Sequence, residues 1–170
     1  VFFFSDNGAH LERGGSNGPW RGGKSNLYEG GHRTPAIAWF PGKLSPGVCG
    51  ETVMGMDLMP TALALAGLSA PAERRFDGAD LNAVLFRGGK LAERTLCWTS
   101  LGFEAARRGP WKLVQRKGKD QPSELYHLAE DPGETKNLGE PQAQVLKELQ
   151  QALAAWKADV EKDAVRQPLT

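Results

Sequence analysis

The sequence predicts an α/β fold followed by a small antiparallel sheet with a C-terminal helix, on three observations. Two apolar runs, residues 1–4 and 36–40, read as core strands flanking a glycine-rich loop, and an apolar segment with helical start and stop residues follows them. Between residues 95 and 128, four short runs separated by turn residues suit a small antiparallel sheet. Val145, Leu149, Leu153, Trp156 and Val160 then recur at four, four, three and four residues, one apolar stripe of a helix.

The opening run Val1-Phe2-Phe3-Phe4 is continuously apolar, the pattern of a parallel-type strand buried on both faces, and it ends in the polar turn Ser5-Asp6-Asn7-Gly8. Such a strand needs paired neighbours, and only Ala36-Ile37-Ala38-Trp39-Phe40, closed by Pro41-Gly42, is comparable nearby. The expectation is therefore the C-terminal piece of a longer polypeptide. The intervening loop, residues 8–31, exceeds the about 12–15 residues usual for a connection without a function of its own. Asp57 near the N-cap, Pro60 in the first turn and Gly67 past the end frame a helix that is apolar nearly all round, as for one packed on a sheet. Residues 80–86 suit a second short helix, broken by Arg87-Gly88-Gly89. A boundary there divides the chain into residues 1–89, part of an α/β domain, and residues 90–170, a small α+β subdomain. Within the latter, runs around Thr95, Ala105, Trp111 and Glu124 are the strands, Asp131-Pro132-Gly133-Glu134 is a tight turn, and the last helix begins near Pro141.

Composition removes several classes of function. Among 170 residues, 40% hydrophobic and 24% charged exclude a wholly disordered or fibrous chain. Lys and Arg total 21 against 20 Asp and Glu, and a net charge of +1 gives no basic excess for nucleic acid or an anionic membrane. No apolar run reaches the roughly 18 residues of a bilayer span. Cys49 and Cys97 lie outside any CxxC or Cys-His cluster and read as ordinary buried or half-buried thiols.

Chemistry concentrates in the loop. Asp6 and Asn7 stand at the carboxyl end of a core strand, where open α/β sheets place ligands. A carboxylate beside an amide offers hard oxygen donors suited to calcium or magnesium rather than zinc, although Asp-Asn-Gly is also a turn sequence. Lys24, in Arg21-Gly22-Gly23-Lys24, lies where glycines let the backbone approach a ligand and an ammonium meets an anion; a solvated surface charge is the other reading. No strand directly precedes this segment and its spacing is not that of a nucleotide phosphate loop. His10 is placed to line a substrate entrance, whereas His32 and His127 read as structural, although an imidazole can protonate a leaving alkoxide near neutral pH. Arg107, Arg108, Lys112, Arg116, Lys117 and Lys119 suit a solvated sheet edge, with a polyanionic substrate as the alternative.

In order, Ser5-Asp6-Asn7-Gly8, Gly14-Gly15-Ser16-Asn17-Gly18-Pro19, Arg21-Gly22-Gly23-Lys24, Tyr28-Glu29-Gly30-Gly31-His32-Arg33-Thr34-Pro35 and Trp39-Phe40-Pro41-Gly42 closely resemble the later part of the sulfatase family, within the alkaline-phosphatase-like superfamily. The resemblance continues through Met56-Asp57-Leu58-Met59-Pro60-Thr61, Trp111-Lys112-Leu113 and Asp131-Pro132-Gly133-Glu134-Thr135. It implies the C-terminal part of an alkaline-phosphatase-like mixed sheet flanked by helices. It also implies hydrolysis of aryl or carbohydrate sulfate esters by a hydrated formylglycine. In that scheme Asp6 and Asn7 ligate calcium, Lys24 holds a sulfate oxygen, His10 contacts substrate, and Glu29 and Arg33 brace the loop. Family members are commonly periplasmic, secreted or lysosomal.

The departures are specific. Neither Cys49-Gly50-Glu51 nor Cys97-Trp98-Thr99 is the Cys/Ser-x-Pro-x-Arg that formylglycine formation requires in this family, and the remaining acidic calcium ligands are not found. Residues 1–170 by themselves are expected to be inactive without an N-terminal portion that supplies these groups. A phosphatase or phosphodiesterase of the same superfamily is the first alternative, disfavoured by Asn7 where two-metal relatives more often carry His. A non-catalytic binding module on the same scaffold is the second.

Overall fold

The computed structural model describes residues 1–73, 75–118 and 122–163. The chain forms two compact units, one of Val1–Phe3 with Ile37–Ala92 and one of Phe4–Ala36 with Glu93–Thr170.

Strands β1 (Phe2–Phe4) and β2 (Ala36–Ala38) make a two-stranded sheet. Val1 and Trp39 exchange backbone hydrogen bonds of 2.7 and 2.8 Å, and the Ser5 N–H donates to the Pro35 carbonyl at 3.4 Å. Partner numbers fall as strand numbers rise, so the pairing is antiparallel. This corrects the expected parallel-type strand buried on both faces. Phe3 is 69% exposed, because β2 is the only strand paired with β1 among the described residues. Helix α2 (Leu58–Leu65) likewise buries only Thr61 and leaves Met59 and Leu65 exposed, so its apolar sides are not packed as expected.

Asp57 precedes α2 but does not cap it. It ends a 3-10 turn, and its carboxylate turns away to accept the N–H groups of Met54 at 2.7 Å and Ala79 at 2.8 Å. Thr61 completes this buried knot, donating to the Asp57 carbonyl at 2.6 Å and accepting the Leu81 N–H at 3.0 Å. Backbone groups of two separated segments, residues 54–57 and 79–81, thereby find partners away from water. Helix α3 (Asn82–Arg87) follows and ends at Gly88, whose φ of 60° is the left-handed cap glycine adopts without steric cost. Cys49, expected to be at least half-buried, is exposed in a segment without regular structure.

The second unit is built on a four-stranded antiparallel meander of β3 (Thr95–Ser100), β4 (Phe103–Arg108), β5 (Trp111–Arg116) and β6 (Glu124–His127), neighbours in that order. Register assigns the faces. Cys97, Ala106, Leu113 and Leu125 lie opposite one another across the four strands and form one row. Against that row pack Leu149 and Leu153 of α4 (Ala143–Asp163), with Val145 and Trp156 beside them. Val160, the last residue of the predicted stripe, is exposed, a turn beyond Trp156. Because side chains alternate along a strand, the next register, Arg107, Lys112 and Tyr126, points to the opposite face. That face, with Ala105 and Val114, is covered by Leu27 and Tyr28 of the glycine-rich loop.

Lys112 is therefore 0% exposed, which overturns its placement on a solvated sheet edge. The other basic residues of that set divide: Arg107 pairs with Glu29, Arg108 with Glu148, and Arg116 lies over the Phe103 ring. Lys119 lies outside the described residues.

Candidate active site

The loop from Ser5 to Arg33 belongs wholly to the second unit and is folded by its own polar side chains and glycines. Asn17 is its hub: its Oδ1 accepts the Ala9 N–H at 2.7 Å, and its Nδ2 donates to the Gly22 carbonyl at 2.9 Å. The Lys24 N–H donates to the Ala9 carbonyl at 3.1 Å, and the Gly8 N–H to the Gly31 carbonyl at 2.9 Å. These bonds bring the backbone of Lys24 against the segment that leaves Asp6 and Asn7. The approach requires glycine at two places. A Cβ on Gly8 would overlap the Gly30 carbonyl oxygen, and one on Gly31 the Asn26 carbonyl oxygen. Helix α1 (Glu29–His32), a single turn, closes the loop and carries both Gly30 and Gly31.

The predicted site residues fall on this scaffold. Asp6, Lys24 and His10 are exposed, and Asn7 is half-buried with its amide donating to the Gly8 carbonyl at 3.2 Å. Neither the Asp6 carboxylate nor the Lys24 ammonium forms an ion pair among the described residues, so both charges remain available to a ligand. His10 uses its backbone carbonyl to accept the N–H groups of Arg13 and Gly15 at 3.1 and 3.2 Å. Calcium takes about six to eight oxygen ligands. Asp6 and Asn7 are donors of the right chemistry but supply only part of such a shell, and no group of three or more His, Cys, Asp or Glu is arranged to hold a metal ion among the described residues.

Beneath the loop is a buried charge cluster that sequence reasoning did not assemble. Lys112 Nζ donates to Glu29 Oε1 at 2.8 Å, lies 2.9 Å from Glu134 Oε1 in an ion pair that lacks hydrogen-bond alignment, and meets His32 Nε2 at 3.1 Å. Glu134 Oε2 accepts the Glu29 backbone N–H at 2.6 Å. Glu29 Oε2 faces Arg33 at 3.4 Å and Arg107 at 3.6 Å, so the bracing expected of Glu29 and Arg33 is present. The tight turn at 131–134 delivers Glu134 with a φ of 53°, held by Asp131, whose carboxylate accepts both the Thr135 and Lys136 N–H groups at 2.8 Å. Alongside, the Arg21 guanidinium stacks 3.8 Å over the Tyr28 ring and donates to the Tyr126 hydroxyl at 2.7 Å and the Glu134 carbonyl at 2.9 Å. Tyr28 donates to Glu124 at 2.7 Å; burial, then that carboxylate, push its phenol up to about 12.

Electrostatics differ across the cluster. Burial alone would raise Glu29, but the Lys112 ammonium, with His32 and Arg107, outweighs it and holds the carboxyl below its ordinary value. For Glu134 burial wins, and its carboxyl is raised despite Lys112. Burial and then the Lys112 charge push His32 down to about 4. Neutral His32 accepts from Lys112 at Nε2, which leaves Nδ1 to donate to the Leu27 carbonyl.

His32 makes stability pH-dependent. Its folded pKa lies below the unfolded value near 6.5, so the unfolded chain binds more protons between those values and stability falls as pH drops from about 6.5 to 4. Glu29, also depressed, adds loss at still lower pH, while the raised Glu134 acts in the opposite sense. Urea midpoints measured at pH 7 and pH 4.5 are expected to differ, and His32→Gln to shrink the difference; an unchanged difference in the variant would remove His32 as its cause.

The family comparisons agree with this geometry. Residues 1–68 match the sulfatase family model. The N-acetylgalactosamine-6-sulfatase of Sus scrofa is 37% identical over 169 residues, covering 79% of this chain and 32% of that protein. Arylsulfatase A of Bos taurus is 36% identical over 182 residues, covering 90% and 36%. A crystal structure of Ps i-CgsB with k-i-k-neocarrahexaose superimposes with a TM-score of 0.81 at 26% identity, over 92% of this chain and 36% of that one. The chain thus spans about a third of the length of the relatives it matches. Motif order, loop geometry and these similarities together show that the chain belongs to the sulfatase family and has the alkaline-phosphatase-like α/β fold of that family, continued by an antiparallel sheet and a C-terminal helix.

Proposed function

We propose that this chain supplies one side of a sulfate-ester hydrolysing centre, with Lys24 as the group that holds the sulfuryl oxygens, Asp6 and Asn7 as calcium ligands, and His10 at the substrate entrance. The carrying observation is the hydrogen bond from the Lys24 N–H to the Ala9 carbonyl, which ties the backbone of Lys24 to the segment that follows Asp6 and Asn7 on one glycine-cradled loop. A bound calcium ion would neutralise negative charge on the transferring sulfuryl group. Lys24 does the same from the protein side, as a preorganised cation in the transition state. The nucleophile comes from elsewhere in the whole enzyme: Cys49 and Cys97 lack the x-Pro-x-Arg context, and burial raises the Cys97 thiol to about 11. Aryl sulfates and sulfated sugars are the substrate class, the latter supported by the name of the N-acetylgalactosamine-6-sulfatase relative.

The whole enzyme is expected to hydrolyse 4-nitrophenyl sulfate or a sulfated amino sugar and to carry calcium by elemental analysis. Asp6→Ala should reduce both activity and metal content. Turnover of the corresponding phosphate esters instead would establish the phosphatase reading, and turnover of neither a binding module; unchanged metal content in the variant would refute Asp6 as a ligand.

A further inference from the structure

We infer that Lys112 and Glu134, which lie on the antiparallel sheet and its following turn, are positioning residues for the loop that carries Asp6, Asn7 and Lys24. The inference rests on the sulfatase reading for what the loop does, and on geometry for the link itself. Lys112 is fully buried, with its ammonium in hydrogen-bond contact with Glu29 and His32 and in an ion pair with Glu134. Two of those neighbours, Glu29 and His32, are the first and last residues of α1. Glu134 holds the same turn from its amino end by accepting the Glu29 N–H. One ammonium and one carboxylate of the sheet unit therefore fix both ends of α1.

The helix turn passes that constraint outward. The Gly31 carbonyl accepts the N–H of Gly8, the residue after Asn7, and the Gly30 N–H donates to the Arg21 carbonyl at 2.8 Å, three residues before Lys24. Side chains are absent at Gly8, Gly30 and Gly31, so these contacts are backbone to backbone and have no soft side chain to absorb a displacement. A shift of α1 thus moves both halves of the candidate site together. Neither Lys112 nor Glu134 reaches solvent, so neither touches substrate.

The test uses the whole enzyme with 4-nitrophenyl sulfate and two substitutions, Lys112→Met and Glu134→Gln. In Lys112→Met, a proton can neutralise Glu134 while Arg33 and Arg107 still face Glu29; in Glu134→Gln the shape is kept and a charge removed. Expected for Lys112→Met is a loss of at least tenfold in kcat with KM altered less than threefold, and a higher calcium concentration for half-maximal activity. Glu134→Gln should change both in the same direction by a smaller factor. In a Lys24→Ala background, Lys112→Met should cost much less than it does alone, because the group it positions is gone. Hydrogen exchange supplies a readout independent of activity: the Gly8 and Lys24 amides should exchange at least tenfold faster in Lys112→Met while those of α4 keep their rates. Wild-type kcat in either folded variant, full additivity with Lys24→Ala, or unchanged exchange at Gly8 and Lys24 would overturn the inference. If Lys112→Met fails to fold, Glu134→Gln decides by the same measurements. Absence of sulfate-ester hydrolysis in the wild type would instead sink the functional reading, and the exchange rates would still judge the positioning link.

Discussion

Lys24→Ala in the whole enzyme is expected to lower kcat/KM for sulfate esters by about 10²–10³, the loss typical of one preorganised charge donor to a transition state. The fold gives little reason for any other effect. The Lys24 side chain is exposed, while its N–H bond to Ala9 belongs to the backbone and survives the substitution. Melting temperature should therefore stay close to that of the wild type while turnover collapses. The loss should fall on kcat more than on KM, because the ammonium opposes charge that grows as sulfur is attacked. Wild-type turnover would remove Lys24 from the mechanism, and a KM effect alone would make it a ground-state binding group.

The second large effect concerns Glu29. Glu29→Ala is expected to destabilise the chain by about 3–5 kcal/mol, the usual cost of removing one partner from a buried ion pair. The carboxylate is 1% exposed and stands among Lys112, Arg107 and Arg33. Without it the Lys112 ammonium keeps only Glu134, which burial already drives toward its neutral form, and neutral His32. The buried positive charge is then under-compensated. Urea unfolding at pH 7 measures the effect, and Glu29→Gln should lie between the wild type and alanine. A cost below about 1 kcal/mol for the alanine variant would mean that the surviving carboxylate and water suffice.

Local pattern made much of this molecule legible. The four strands of the meander, the short helix ending at Gly88 and the apolar stripe of the last helix all depend on near-neighbour spacing and turn residues, which a sequence displays directly. The glycine-rich loop was legible as a segment between two strands, and its Gly8, Gly30 and Gly31 are positions where backbones touch. Burial was harder. The run 1–4 has the composition of a two-sided core strand, yet composition cannot say which neighbours cover it, and in this structure β2 alone pairs with it. Lys112 was hidden for a different reason. A lysine among five other cations suggests a wet surface, and only the strand register shows that it faces the loop, where carboxylates 83 and 22 residues away in sequence wait for it. The period-two alternation of Lys112 with Val114 held the clue, because a charged residue in a row that is otherwise buried needs a buried partner. Asn17 stands inside a run of turn residues, where an amide is well suited to bind backbone groups on two sides.

The antiparallel sheet has consequences for the order in which the molecule is made. Glu29 waits 83 residues for Lys112 and 105 for the Glu134 carboxylate that receives its N–H. During synthesis the loop emerges early, but its anchors emerge only after the meander and the turn at 131–134 have been translated. Until then α1, a four-residue helix too short to persist alone, has nothing to hold its ends. The candidate site is consequently a late product of folding, and a nascent chain halted before residue 134 would carry every proposed ligand-binding residue without the framework that aligns them.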